Sequence, residues 1–183
     1  MLLCQISDPH IVCEGELAYG RVDTGQMLER CVRKILALPR LPDAVVATGD
    51  LTDHGSVEEY TLLAELLAPL RMPLYLAVGN HDDSRALRSV FPQHTYLAGE
   101  DGFVQYAVDD FDVRLVVLDT TVPGAPGGEL CARRLQWLDR TLGDLERLAK
   151  SGAQASATLA PRIEQVLRQT EQLLATLRSS GEQ

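Results

Sequence analysis

Side chains suited to binding divalent metal ions stand in three short motifs, each at the end of an apolar run. They are Asp8, His10, Asp50, Asp53, Asn80, His81 and Asp82. Zinc, manganese and iron accept mixed nitrogen and oxygen ligands, and one carboxylate can bridge two ions. The motifs therefore predict a site for two metal ions, with Asp50 as the natural bridge.

The apolar runs before the motifs indicate short strands that are buried on both faces. They cover residues 2–6, 44–48 and 74–78. Asp8, Asp50 and Asn80 each follow one of these strands, so they fall at the carboxyl edge of a parallel sheet, where open α/β sheets bind ligands. One Asp or His at a strand end is more often a cap than a ligand. The coincidence of three such ends favours a metal site.

Helical patterns separate the strands. Asp23 and Gln26 resemble an N-cap pair that opens a helix through Leu38, and Ser56 with Glu59 forms a capping box before a second helix. Strand, helix, strand, helix, strand predicts βαβ units with right-handed crossovers. The predicted fold class is α/β.

The sequence from residue 84 to residue 148 completes the predicted globular domain, which spans residues 1–148. It predicts a short helix, a β-hairpin, a loop rich in Pro and Gly, and an amphipathic helix. These elements cover residues 84–91, 103–108 with 113–118, 122–128 and 130–145.

Residues 149–183 differ in composition from the rest, with no aromatic residue after Trp137. Apolar residues at a spacing of three and four follow Pro161 and predict a helical tail with a narrow apolar seam. The seam residues are Ile163, Val166, Thr170, Leu173 and Leu177. Docking on the domain, self-association through this helix and a loose tail all remain open.

Charge and cysteine content restrict partners and location. The net charge of −9 arises within residues 1–150, which hold 14 Lys and Arg against 23 Asp and Glu. Such a surface repels duplex nucleic acid, whereas a small phosphodiester remains suitable if metal ions supply positive charge. No apolar run approaches bilayer length, and four cysteines without C-x-x-C spacing predict free thiols. We expect a cytoplasmic protein that does not enter a membrane.

The order D-x-H, G-D-x-x-D and G-N-H-D, with G-D-L-T-D-H-G in the middle, resembles the calcineurin-like metallophosphoesterases. The likeness is greatest to their class III cyclic-nucleotide phosphodiesterases and glycerophosphodiesterases, and it covers about residues 1–145. The resemblance implies that Asp8 and His10 are ligands of a first ion, that Asp50 is the bridge and that Asn80 is a ligand of the second. His81 would be an imidazole that contacts the phosphoryl group without binding metal.

The implied reaction is hydrolysis of a phosphodiester by a metal-activated hydroxide, with His81 donating a hydrogen bond or a proton. The metal would be manganese, iron or zinc. Asp53 and Asp82 are expected to support the site by orienting loop amides or an imidazole. His54 and His94 are expected to face solvent.

The family pattern continues with a strand that ends in a ligand His and then a G-H-x-H loop. No His follows His94 in this sequence. The resemblance therefore implies the N-terminal half of the metallophosphoesterase sandwich, truncated before its last two His motifs, with an incomplete second metal site. The competing hypothesis is a non-catalytic metal-binding or interaction module whose C-terminal helix binds a partner.

Overall fold

The computed structural model describes residues 1–152, with three parallel strands at its centre. These are β1 (Leu3–Ser7), β2 (Ala44–Thr48) and β3 (Leu74–Ala77), in the order β1-β2-β3. Ser7 pairs with Thr48, and Thr48 pairs with Ala77, so the three carboxyl ends stand level. The predicted α/β class and the order of the first elements are confirmed.

Helix α1 (Thr24–Leu36) connects β1 to β2, and helix α2 (Val57–Leu67) connects β2 to β3. The Asp23 carboxylate accepts the Gln26 amide at the start of α1, as the sequence predicts. Helix α3 (Ser84–Val90) follows β3 and packs against α2. The helices and strands enclose a core whose fully buried side chains include Ile11, Leu51, Tyr60, Leu63 and Leu76.

The prediction that all three strands are buried on both faces is wrong for β1. Its burial alternates, with Ile6 buried and Leu3 41% exposed. β1 is an edge strand of the three-stranded sheet, and its odd-numbered residues are exposed within the described part of the chain. Strands β2 and β3 have no exposed residue, in agreement with their apolar sequences.

The chain after α3 forms two short 3-10 turns, Thr95–Leu97 and Glu100–Gly102, and two small hairpins. Strands β4 (Tyr106–Val108) and β5 (Leu115–Val117) form the predicted antiparallel hairpin. Strands β6 (Thr121–Val122) and β7 (Ala125–Gly128) form a second hairpin where the sequence predicts a loop. The sequence did not predict this second hairpin, because its Gly and Pro residues are uncommon in strands.

The chain divides into two compact units, Met1–Leu130 and Cys131–Gln183. In the second unit the structure describes helix α4 (Ala132–Gly152), which begins two residues later and ends seven residues later than the predicted span of 130–145. The predicted boundary at residue 148 falls within α4 and stays a prediction. The seam from Ile163 to Leu177 lies outside the described residues. Up to Gly152, no helix combines the length and apolar character needed to cross a membrane.

Glu59 at the start of α2 offers a first test of the fold. Its buried carboxylate accepts the amides of His54 (3.0 Å) and Ser56 (3.1 Å) and contacts His54 Nδ1 at 2.8 Å. We expect Glu59→Ala to lower the free energy of unfolding by about 2 kcal/mol, because it removes a capping box and leaves two part-buried amides without their acceptor. Urea denaturation measures this loss. Exposed Glu58 is the control, and an equal loss in Glu58→Ala would contradict the expectation.

Candidate metal centre

The loops after β1 and β2 run side by side beyond the ends of their strands. His10 N donates to the Asp50 carbonyl (3.0 Å), and Ile11 N donates to the Leu51 carbonyl (3.1 Å). Asp53 N then donates back to the Ile11 carbonyl at 3.0 Å. Backbone hydrogen bonds alone therefore hold the two motif loops against each other.

Three of the predicted ligands have a left-handed backbone conformation. The φ angles are 53° at Asp8, 43° at His10 and 45° at Asp50. Residues other than glycine adopt this region rarely and at a conformational cost, and such residues cluster at functional sites. In this structure the conformation accompanies side chains that turn toward one another.

The ligand atoms of Asp8, His10 and Asp50 all lie within 4.8 Å of one another. His10 Nε2 is 3.7 Å from Asp50 Oδ2, and both side chains are less than a fifth exposed. Asp8 is exposed and accepts a hydrogen bond from the Ser7 hydroxyl. One imidazole nitrogen and two carboxylates at this separation form a donor set that fits one divalent ion of the zinc or manganese type.

Asp53 contacts both imidazoles of the site. Its Oδ1 lies 2.9 Å from His10 Nδ1, and its carbonyl lies 2.8 Å from His81 Nδ1. If each Nδ1 carries the proton, His10 Nε2 keeps a free lone pair toward Asp8 and Asp50, as a metal ligand requires. The ring centroids of His10 and His81 are 4.7 Å apart in an edge contact.

A second set of potential ligand atoms overlaps the first. His10, Asp53 and His81 also have such atoms within 4.8 Å of one another. Asp53 Oδ1 is 3.9 Å from His81 Nδ1, and His81 is 36% exposed. His10 belongs to both groups, so the geometry offers two alternative positions for a single ion.

The loop after β3 meets Asp50 closely. His81 N donates to Asp50 Oδ1 at 3.1 Å, and Asn80, which precedes His81 in the chain, is exposed. Gly49 has a φ of 73°, and a Cβ there would lie 3.2 Å from the backbone of Gly79, which is a tight contact. The structure thus brings the loop that carries Asn80 to the same sheet edge as Asp8, His10 and Asp50, and the contact with the Asp50 carboxylate is made by the next residue, His81.

Asp82 lies behind these loops and ties them together. Its carboxylate accepts the amides of Gly79 (2.8 Å) and Leu51 (3.1 Å) and the Tyr60 hydroxyl (2.8 Å). Burial raises the pKa of the Asp82 carboxyl, and hydrogen bonds from Gly79 and Leu51 oppose that rise. This position suits the predicted role of orienting loop amides.

The other two histidines differ from each other. His54 is 68% exposed, as expected, and its hydrogen bond with Glu59 raises its pKa. The prediction that His94 faces solvent is wrong. His94 is half-buried, with edge contacts to the rings of Phe91 and Tyr96, and burial lowers its pKa.

Sequence reasoning missed three residues that hold the site from outside the motifs. Ser7 bonds to the Asp8 carboxylate, the Thr24 hydroxyl donates to the His10 carbonyl (2.9 Å), and Tyr60 bonds to Asp82. Thr24 and Tyr60 are buried residues of helices α1 and α2. Only their long-range partners distinguish them, and no local signal reveals those partners.

Gly79→Ala tests the close approach of the second and third loops. A Cβ at Gly79 would overlap both the carboxylate and the backbone nitrogen of Asp50, so Asp50 must leave its present position. We expect the affinity for Mn²⁺ to fall by about tenfold or more, as when a contact that orients a ligand is lost. Calorimetric titration measures it. Gly127→Ala, where a Cβ meets open space, is the control, and equal affinities in the two variants would refute the expectation.

Comparison with known proteins identifies the class. The calcineurin-like phosphoesterase family matches residues 1–154 of this chain. A parallel sheet with clustered His and Asp side chains at its carboxyl edge accompanies that match. The chain belongs to the calcineurin-like phosphoesterases, a family that uses divalent metal ions.

Curated relatives resemble the chain over most of its length. A probable glycerophosphodiester phosphodiesterase of Arcobacter nitrofigilis is 37% identical over 142 residues, which are 78% of this chain and 52% of the relative. A 3',5'-cyclic adenosine monophosphate phosphodiesterase of Pseudomonas aeruginosa is 34% identical over 142 residues, 78% of this chain and 50% of the relative. The chain spans about half the length of the curated relatives it matches.

Proposed function

We propose that this chain holds a divalent metal ion through Asp8, His10 and Asp50 and acts in phosphodiester hydrolysis. Asn80 and Asp50 would hold a second ion, less firmly. One observation carries the proposal: the ligand atoms of Asp8, His10 and Asp50 lie within 4.8 Å of one another at the carboxyl edge of the sheet. Manganese, iron and zinc all suit this mixture of nitrogen and oxygen donors.

The bound ions would supply positive charge for the phosphoryl group and lower the pKa of a water molecule. The protein orients the two imidazole rings. Asp53 orients His10 through Nδ1, and the Asp53 carbonyl orients His81 so that His81 Nε2 remains available. With both ring nitrogens protonated, His81 would donate a hydrogen bond from Nε2 to a phosphoryl oxygen or pass that proton to the leaving alkoxide, as a partly exposed imidazole can.

The proposed substrate is a small phosphodiester of the glycerophosphodiester or cyclic-nucleotide type. The names of the relatives support this class. Duplex nucleic acid is excluded from the proposal because the net charge is −9. We place the protein in the cytoplasm, and the free thiols of Cys4, Cys13, Cys31 and Cys131 support a reducing compartment.

The rate of this chain alone should be low. Asp50 and Asn80 provide two protein ligands for the second ion, whereas a catalytic zinc ion usually keeps about three. Losing several kcal/mol of transition-state stabilisation leaves on the order of a thousandth of the activity of a relative with a full site.

Hydrolysis of bis(4-nitrophenyl) phosphate with excess Mn²⁺ tests the proposal. We expect slow turnover that requires metal, stops with EDTA and extends to a glycerophosphodiester or to cyclic AMP. Metal binding without any turnover would instead support the non-catalytic metal-binding module. Turnover as fast as that of a curated relative assayed in parallel would contradict the ligand count given for the second ion.

A further inference from the structure

The loop between β1 and α1 leaves the candidate metal centre directly after His10 and returns to it. We call residues 11–23 the His10 loop. At its start, Ile11 N donates to the Leu51 carbonyl at 3.1 Å. Just after its end, the Thr24 hydroxyl donates to the His10 carbonyl at 2.9 Å. Both ends of the His10 loop are therefore fixed to the centre by hydrogen bonds.

The middle of the His10 loop is a tight turn. Ala18 N donates to the Val22 carbonyl at 2.8 Å, and Val22 N donates to the Ala18 carbonyl at 3.0 Å. Within this turn, Gly20 N donates to the Leu17 carbonyl at 2.9 Å. Ala18 is buried, so the turn is also anchored to the core. The backbone of Tyr19, between Ala18 and Gly20, is thus held in place.

Tyr19 has a left-handed backbone conformation, with a φ of 54°. For a bulky residue this conformation is an outlier, and such outliers cluster at functional sites. In the described part of the chain, the other non-glycine residues with a positive φ are Asp8, His10, Asp50 and Asp101. Three of these four are proposed metal ligands. Tyr19 therefore shares a rare conformation with the metal centre.

The ring of Tyr19 lies beside the candidate centre. Its centroid is 6.4 Å from the centroid of the His10 ring, and the two ring planes are inclined at 56°. The ring of His81, the proposed donor to the phosphoryl group, is 4.7 Å from the same imidazole. Tyr19 is 75% exposed, although an aromatic ring is usually buried to a large extent. It therefore presents an aromatic face next to the proposed ligands.

We propose that Tyr19 is a specificity-determining residue that binds the organic group of the phosphodiester and selects a planar group, such as a nucleobase. The inference rests on the proposed function, in which the phosphoryl group binds at Asp8, His10 and Asp50. An aromatic ring offers a flat face on which a nucleobase or another aromatic ring stacks. Glycerol has hydroxyl groups and no flat face, so it gains little from this contact.

An ammonium group is the other chemistry that binds an aromatic face. Recognition of a quaternary ammonium group typically uses a cage of several aromatic rings. Tyr19 is the one Phe, Trp or Tyr residue of the His10 loop. A single exposed ring suits one-sided stacking of a planar group better than enclosure of a cation.

Binding of three phosphate monoesters to the protein loaded with Mn²⁺ tests the inference without turnover. Phenyl phosphate carries a planar group, methyl phosphate lacks one, and phosphocholine carries a quaternary ammonium group. We expect Tyr19→Ala to raise the Kd of phenyl phosphate by about tenfold, the effect of losing one stacking partner. The Kd of methyl phosphate should change by less than about twofold. Calorimetric titration measures each Kd.

Three further variants separate stacking from other effects of the substitution. Tyr19→Phe keeps the ring and should bind phenyl phosphate like the parent. Tyr19→Asn, whose side chain tolerates a positive φ, should lose the same affinity as Tyr19→Ala. Leu17→Ala is the matched control, because Leu17 is an apolar side chain of the same loop with 48% exposure. It should bind phenyl phosphate like the parent, and all variants should bind Mn²⁺ equally.

Hydrolysis of two natural phosphodiesters extends the test to substrate choice. Cyclic AMP has a planar base, whereas glycerophosphoglycerol has neither a planar nor a cationic group. Tyr19→Ala should lower kcat/KM for cyclic AMP by about tenfold, mainly through KM, because the contact serves binding. The value for glycerophosphoglycerol should stay nearly unchanged.

Equal Kd values for phenyl phosphate in the parent and in Tyr19→Ala would overturn the inference. So would an equal loss for phenyl and methyl phosphate, or a larger loss for phosphocholine than for phenyl phosphate. Turnover that is insensitive to Tyr19→Ala with both diesters would refute the role of Tyr19 alone. Binding that depends on Tyr19 without any turnover would refute the proposed hydrolysis and support the role of Tyr19, so the two failures are distinguishable.

Discussion

Asp50→Asn is expected to weaken Mn²⁺ binding by about a hundredfold or more, the largest loss of any single substitution at the site. The Asp50 carboxylate faces His10 Nε2 at 3.7 Å and accepts the His81 amide at 3.1 Å, so it contacts residues of both neighbouring loops. A bridging carboxylate would serve two ions, whereas each other ligand serves one. The amide keeps the shape but loses the charge. Isothermal calorimetry gives the two affinities.

His10→Ala provides the comparison. It removes one neutral ligand and should cost less affinity than Asp50→Asn. Asp110→Asn, an exposed acid outside the motifs, should bind Mn²⁺ like the parent. Equal losses in Asp50→Asn and His10→Ala, or no binding by the parent, would show that Asp50 has no special place in the site.

His81→Ala is expected to lower the rate of bis(4-nitrophenyl) phosphate hydrolysis by about a hundredfold, the usual contribution of a positioned acid or hydrogen-bond donor. Its Nδ1 is held by the Asp53 carbonyl, and the ring is 36% exposed, so the other nitrogen can reach a substrate. Mn²⁺ affinity should remain within the error of the parent value. Steady-state kinetics and calorimetry on one preparation separate the two effects.

His94→Gln is the control for histidine loss. His94 contacts Phe91 and Tyr96, outside the candidate centre. Its replacement should leave turnover nearly unchanged. If His81→Ala also lost metal affinity, His81 would be a ligand, as the group of His10, Asp53 and His81 allows, and its proposed contact with the phosphoryl group would be wrong.

Local signals made the centre of the fold predictable. The residues Asp23 and Ser56 begin α1 and α2 as their side chains predict, because a capping hydrogen bond lies within three residues. Ala44–Thr48 is both the predicted and the observed span of β2, a strand buried enough for its sequence to be continuously apolar. The βαβ order then places three motif loops at one sheet edge without further information.

Features that depend on distant partners could not be predicted. Leu3 is 41% exposed although it belongs to an apolar run, and strand composition does not encode that β1 is an edge strand. The hydrogen bond between Tyr60 and Asp82 joins residues 22 positions apart. His94 is half-buried because its ring contacts the rings of Phe91 and Tyr96. The motifs predicted that Asp8, His10 and Asp50 lie close together, whereas the long-range contacts that support these residues are visible only in the tertiary structure.

Anomalous diffraction from a crystal soaked in Mn²⁺ tests the proposed metal site most directly, because it locates the ion. We expect the strongest peak within bonding distance of Asp8, His10 and Asp50, and a weaker peak toward Asn80. Equal peaks would show that the second site is as firm as the first. A single peak between His10, Asp53 and His81, or no peak near Asp50, would contradict the proposed ligands.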